Sequence, residues 1–526
     1  MSSYVKNSLV NVGVALAFTI LMLGIGEIII RYIDSYALFS IRLKPSESGS
    51  LLTRKEAEEE RKALPADFDL DQLMVTSRGN SSAIPVDWFF LDPPGDPLHA
   101  EMDEDTGRLV TSRLAKYPTD PYGATFHWNR NYLRKAICAK STLGSLGILD
   151  EFLYFSPDGG GIYPYYRHMR HLRMPSMFPT NGFGWRGREI GLHKAENTIR
   201  IAFVGASTTV NGYGEKYSYP EYVEGWLNMW AEKNLSGIRF EVINAGRTGI
   251  DSSSIAAIVR DEILPMEPDF VIYYEGSNQF LPAYYVKFPD GKIPPKPSAT
   301  FRSPGILESH SAIAARALQV MDQFTGGGGY EPKKPELVVE WPADLNEYDP
   351  DPGYHSLPLQ LDDITTNLSS IKKDLSSVGG ELIISSFVWL AYEGMKVNLA
   401  TNPNVHRYLN ETYWPYSYKH IRRMADFQNR VFHNYSKVNG IPFIDVAKAY
   451  PQNPSLFNDA IHMTPFGVRV HAWIATNQLI PIIQKKIESG SLPRKSESNL
   501  DAHPGFSSMG LDLVTRSQLM TECEQQ

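Results

Sequence analysis

Four short stretches of this 526-residue chain hold residues suited to nucleophilic catalysis. Ser207 stands in "GASTT", directly after the apolar run "IRIAFV". Asp459 and His462 stand three apart in "DAIHMTPFG", close enough for one loop or helical turn to bring them together. A serine hydroxyl needs a base to lose its proton, and an imidazole with a pKa near ~6.5 is the usual one. That imidazole needs a carboxylate on its other nitrogen to fix its tautomer and stabilise the cation. Charge developing on the attacked oxygen needs donors. The backbone amides of Ser207 and Gly246 ("NAG") and the side-chain amide of Asn278 ("GSNQ") could converge on one spot to supply them.

Taken singly, each residue has a plainer use. Ser207 suits a helix N-cap, Gly246 a turn with positive φ, and Asn278 a turn or cap. Asp459 could cap a turn, and His462 could be a hydrogen-bonded loop residue. What favours chemistry is the place they share. From residue 197 apolar strands alternate with amphipathic helices: "TIRIAFVG", "RFEVINAG", "PDFVIYYEG", "GELIISSFV" (380–388) and "IPFIDV" (441–446) read as five strands. "YPEYVEGWLNMWAEKN", "SSSIAAIVRDEIL" and the stretches 417–439 and 464–488 have helical spacing. Such alternation implies right-handed crossovers and a parallel sheet covered on both faces, an α/β sandwich. Ligands of open parallel sheets bind beyond the carboxyl ends of the strands. Ser207, Gly246 and Asn278 each follow a strand, and Asp459 and His462 lie beyond the fifth.

This order of blocks resembles the SGNH hydrolases, the GDSL-like lipase/esterase superfamily, over 197–488. "GAST", "NAG", "GSNQ" and "DAIH" stand for that family's Ser, Gly, Asn and His blocks. "TNGFGWRGREI" followed by "VGASTT" is similar to a membrane-anchored bacterial branch of the superfamily. The resemblance implies a three-layer α/β/α domain with a flavodoxin-like five-stranded sheet, and a metal-free, cofactor-free serine hydrolase acting on esters. It implies Ser207 as nucleophile, His462 as base and Asp459 as its orienter, with Ser207, Gly246 and Asn278 as the oxyanion hole. Two positions depart from the family pattern: Ala206 stands where an aspartate precedes the serine, and Gln279 where an aspartate follows the asparagine.

The rest of the chain sets the context. The net charge of -8 and the lack of a dense basic run argue against a nucleic-acid partner. Cys138 and Cys523 are too few for a disulfide framework or a cysteine zinc site. No H-E-x-x-H pattern occurs, and "HMRH" (168–171) reads as a solvated basic patch. "VGASTT" lacks both the G-x-G-x-x-G spacing and the P-loop lysine, which argues against a nucleotide site.

"LVNVGVALAFTILMLGIG", extended by "EIIIRY", has the length and apolarity to cross a ~30 Å hydrocarbon core. It ends on Glu27 and Arg31 rather than on the small residues of a cleavage site, so residues 1–33 read as a membrane anchor with the body extracytoplasmic (periplasmic). Lys6 before the span and Arg31, Arg42 and Lys44 after it leave the orientation open by charge.

The expected organisation is anchor 1–33, linker 34–65, accessory region 66–196, catalytic domain 197–488 with an insertion at 281–358, and a disordered tail 489–526. Tyr284, Tyr285, Phe288, Tyr330, Trp341 and Trp389 could stack on sugar faces or simply pack. The expected function is deacylation, foremost deacetylation, of a cell-envelope or extracellular glycan. An acyltransferase, a lipid ester as substrate, and a catalytically silent glycan-binding protein are the alternatives.

Overall fold

In the computed structural model the described residues are 3–33, 84–93, 153–155, 164–166 and, with short gaps, 185–287, 311–317 and 334–495. The linker, the "HMRH" patch, both cysteines, Tyr284, Tyr285, Phe288, Tyr330 and the tail beyond residue 495 lie outside them.

Strand β1 (Thr198–Gly205) is buried along all eight residues, as expected of a mostly apolar strand covered on both faces, and its one charged residue, Arg200, is paired with Glu241 at 2.8 Å. It pairs in parallel with β2 (Arg239–Asn244) on one side and β3 (Phe270–Tyr274) on the other. Beyond β3 come β4 (Glu381–Ser385) and the short β5 (Phe443–Ile444), giving a parallel five-stranded sheet in the order 2-1-3-4-5. The chain steps from β1 to β2 in one direction, then reverses past β1 to β3. That reversal opens a crevice between the carboxyl ends of β1 and β3.

Right-handed crossovers then dictate which face each helix covers. Helix α1 (Ser3–Ile33) precedes the sheet, and α2 (Tyr219–Asn234) connects β1 to β2. Helices α3 (Ser252–Ile258), α4 (Leu361–Ser377) and α5 (Tyr418–Asn439) make the opposite-going crossovers and share the other face, and α6 (Pro465–Glu488) follows β5 and packs against α2. The result is the three-layer α/β/α sandwich expected from the sequence.

Helix α4 is the one long element the sequence reading did not assign. Its buried Leu361, Ile364, Leu368, Ile371 and Leu375 recur at three- and four-residue spacing, the stripe of a half-buried helix. Helix α3 is shorter than its sequence pattern suggests, because Val259–Ile263 continues as a wider π turn.

Two parts outside the sheet are tied to the rest. Residues 84–93 of the accessory region lie on the α2/α6 face: Trp226 donates its indole N–H to Trp88 O at 2.8 Å, and Arg469 pairs with Asp92 at 2.6 Å. Among the described residues, α1 is the one helix long and apolar enough to cross a membrane, with mean hydropathy 2.3 over Gly13–Arg31. Near its end Glu27 accepts hydrogen bonds from Ala312 N (2.6 Å), Ser311 Oγ (2.9 Å) and Ile313 N (3.0 Å), so a segment of the insertion rests on this helix.

Candidate active site

Ser207 sits two residues past the end of β1, at the first position of a single helical turn, Ser207–Val210. Ala206 is the N-cap, so the serine is not capping, and its hydroxyl is available for other work. The turn is fastened from behind. Asn244, at the end of β2, donates to Thr209 O at 3.0 Å and to Ser218 Oγ at 3.0 Å. Arg186, fully buried, donates to Val210 O at 3.0 Å and to Asn211 O, while Glu221 holds its guanidinium at 3.1 Å. Neither Arg186 nor Asn244 was singled out from the sequence, since both act on backbone carbonyls rather than on a reacting atom.

Asp459 and His462 lie on a loop closed by a bridge between Phe457 and Met463. Asp459 Oδ1 accepts the backbone N–H groups of Ile461 (2.9 Å) and His462 (2.8 Å), which folds the loop back on itself. This leaves Oδ2 facing the imidazole: His462 Nδ1 lies 2.6 Å from it. On the other side of the ring, Nε2 lies 2.8 Å from Ser207 Oγ. The structure thus brings together Ser207, His462 and Asp459, 255 residues apart at the extremes, in the order a proton relay needs. With Nδ1–H donated to the carboxylate, Nε2 is left as the acceptor for the serine proton. Ser207 and His462 are 7% and 6% exposed, so this chain of contacts is shielded while still reaching solvent.

The three expected oxyanion donors are placed differently from one another. Ser207 N–H has no acceptor among the described residues. Asn278 donates one of its two side-chain N–H groups to Ile250 O at 2.5 Å, so the second remains for a ligand. Gly246 N–H donates to Asn244 Oδ1 at 3.1 Å, and to serve an oxyanion it would have to share that bond. Gly246 does not have positive φ, so the turn explanation fails. Glycine is needed there for space: a Cβ would stand 2.5 Å from Val210 N.

The two departures from the family pattern have structural occupants. Ala206 is fully buried under the turn. Gln279 accepts Ser252 N at 2.8 Å and so ties the loop after β3 to the start of α3.

Beside Asp459 stands an aromatic wall. Phe280 meets Trp389 at 4.5 Å, Trp389 meets Tyr413 at 5.5 Å, and Tyr413 meets Tyr408 at 5.4 Å between ring centroids. Burial pushes both tyrosine hydroxyls well up, and the nearby Asp459 carboxylate adds to it, so both stay protonated. Trp389 is 2% exposed and Trp341 stacks on Phe427 at 4.6 Å, so both pack rather than present a face to a sugar. Among the described residues no cluster of three or more His, Cys, Asp or Glu could hold a metal ion.

No protein-family model and no curated protein matches the chain. Among solved structures it is similar to an acetyl xylan esterase, at 12% identity over 54% of this chain and 100% of the other, with TM-score 0.29. It is also similar to an acetylxylan esterase from Geobacillus stearothermophilus (13% identity, 53% and 94% of the two chains, TM-score 0.30). A third is a GDSL-like lipase from Bacteroides thetaiotaomicron (14% identity, 54% and 88%, TM-score 0.25).

Proposed function

We propose that this protein is a serine esterase of the SGNH type, with Ser207 as nucleophile, His462 as general base and Asp459 as its orienter. The observation that carries the reading is the continuous chain of contacts from Ser207 Oγ to His462 Nε2 at 2.8 Å and from His462 Nδ1 to Asp459 Oδ2 at 2.6 Å.

Ser207 Oγ attacks the ester carbonyl carbon while His462 Nε2 takes its proton. Asp459 stabilises the resulting imidazolium without itself taking the proton. The tetrahedral oxyanion receives hydrogen bonds from Ser207 N–H and the Asn278 amide. Its collapse breaks the bond to the alcohol oxygen, which leaves with the proton held by His462. Water then attacks the acyl carbon while His462 Nε2 takes its proton, and collapse breaks the bond to Ser207 Oγ, which takes that proton back as the carboxylic acid leaves.

The division of the chain that goes with this reading is an anchor at 1–33 and a catalytic domain at 197–488. An enzyme held to a membrane by α1 meets surface-bound substrates, and the substrate we propose is an acetyl ester on a cell-envelope or extracellular glycan. The test uses the full chain in detergent with p-nitrophenyl acetate, butyrate and octanoate, and with an acetylated polysaccharide assayed for released acetate. Wild type is expected to turn over the acetyl substrates, and Ser207→Ala and His462→Ala to lose about 10⁴-fold or more in kcat. Equal activity in all three proteins overturns the esterase reading, and preference for octanoate overturns the acetyl assignment.

A further inference from the structure

The carboxylate of Glu275 is buried at the end of β3 with no cation beside it in the described contacts. A buried carboxylate is costly unless hydrogen bonds satisfy it, so its partners indicate what it is for. Oε1 accepts three bonds: from Ser277 N at 2.7 Å, Asn278 N at 2.8 Å and Ser277 Oγ at 3.2 Å. Oε2 is buried and has no hydrogen-bond partner among the described residues. Burial pushes the pKa of this group up, against the pull of the backbone N–H groups of Asn278 and Ser277.

The same loop is gripped from two other directions. Gln428, on α5, donates to Gly276 O at 2.6 Å and accepts the Trp389 indole N–H at 3.2 Å. Gln279 ties the far end of the loop to α3, at Ser252 N, 2.8 Å away. The bonds to Ser277 N, Asn278 N and Gly276 O fix the backbone after β3 directly, and the exposed side chain on that backbone, at the carboxyl end of β3, is Asn278, which donates to Ile250 O. The acidic residues the family places at 206 and 279 are Ala206 and Gln279 here, and Glu275 is the carboxylate this loop does have.

We propose that Glu275 is a positioning residue: its carboxylate fixes the Ser277–Asn278 backbone so that the Asn278 amide is aimed at the oxyanion formed on a substrate at Ser207. The inference rests on the esterase reading above, and it assigns to Glu275 no contact with the substrate. What matters is where the Oε1 acceptor sits, not the charge behind it. Glutamine keeps an acceptor oxygen at the same reach, whereas aspartate keeps the charge but withdraws the oxygen by one methylene.

The test measures kcat and KM for p-nitrophenyl acetate in the full chain for Glu275→Gln, Glu275→Asp, Asn278→Ala and the double variants Glu275→Asp/Asn278→Ala and Glu275→Gln/Asn278→Ala. Glu275→Asp is expected to lower kcat about tenfold or more with little change in KM, since only the transition state carries the oxyanion. Glu275→Gln is expected to keep kcat within about threefold of wild type. In the Asn278→Ala background Glu275→Asp should cost almost nothing further, because its effect runs through the residue already removed.

Losses that multiply in the double variant overturn the proposal, as does a Glu275→Asp enzyme with wild-type kcat or a Glu275→Gln enzyme worse than Glu275→Asp. If Glu275→Asp does not fold, the Glu275→Gln result decides: a tenfold fall in its kcat overturns the proposal, and wild-type kcat supports it. Wild type without Ser207-dependent turnover would instead refute the esterase reading, so the two failures are told apart.

Discussion

His471, on the second turn of α6, stacks on Tyr219 at 4.1 Å and meets Tyr274 edge-on at 4.6 Å, with Tyr450 at 6.5 Å. It is fully buried and its Nδ1 has no partner among the described residues, so burial pushes its pKa down to about 3. The phenols around it are themselves pushed up by burial and stay neutral. Because the folded pKa lies below the unfolded value, the unfolded chain binds the proton first, and stability is lost as pH falls below about 6.5, by ~1.4 kcal/mol per pH unit for one proton. Thermal midpoints between about pH 7 and about pH 4 should therefore fall less steeply for His471→Phe than for wild type. Equal slopes would show that His471 does not set the acid sensitivity. A second residue with a sharp expectation is Asn278. Removing one oxyanion donor costs ~10²–10³ in kcat, so Asn278→Ala should show that loss at nearly constant KM in initial-rate assays.

At the scale of elements, the loop carrying Asp459 and His462 depends on how α6 begins. Thr464 caps the helix by accepting Gly467 N at 3.2 Å, and its own N–H donates to Leu456 O at 2.9 Å. Gly467 lets the first turn press against that loop: a Cβ would stand 2.1 Å from Leu456 O and 2.6 Å from Tyr450 Oη. Gly467→Ala should therefore destabilise the protein by ~1–3 kcal/mol and lower kcat by shifting His462 away from Ser207. Denaturation midpoints and initial rates check both effects.

Here lies much of what the sequence made legible. "MTPFG" announces its own cap, its proline at the first helical position and its close-packed glycine, and strands one to four are visible as apolar runs. Strand β5 shrinks to two residues because only Phe443 and Ile444 find the register of β4. The proximity of Ser207 and His462 was inferable from the rule that parallel strands gather their carboxyl ends and from the order of the four blocks. The roles of Glu275, Arg186 and Asn244 were not legible: Arg186 and Asn244 stand inside the quoted "TNGFGWRGREI" and "NAG", but all three act on backbone groups, which leaves no signature of role in residue type or spacing. Helix α4 was legible in its apolar stripe but was hidden by the insertion that precedes it.

At the scale of the molecule, α1 and the insertion meet at Glu27. The carboxylate holds Ser311, Ala312 and Ile313, and Gly26 leaves room for the Ile313 side chain, 3.4 Å from where a Cβ would stand. Glu27→Ala should raise hydrogen exchange across 311–317 while leaving exchange in β1 and β3 unchanged; uniform exchange in both proteins would show that the contact does not form in solution. The five-stranded sheet is built wholly from strands between Thr198 and Ile444. It gathers Ser207, Asp459 and His462 from distant parts of the chain, and the proposed esterase chemistry rests on their contacts. The most direct test is labelling of the full chain with a fluorophosphonate, which reacts covalently with an activated serine hydroxyl, followed by peptide mass mapping. One adduct is expected, on Ser207, absent from Ser207→Ala and strongly reduced in His462→Ala. An adduct on another serine, or none on a folded protein, would contradict it.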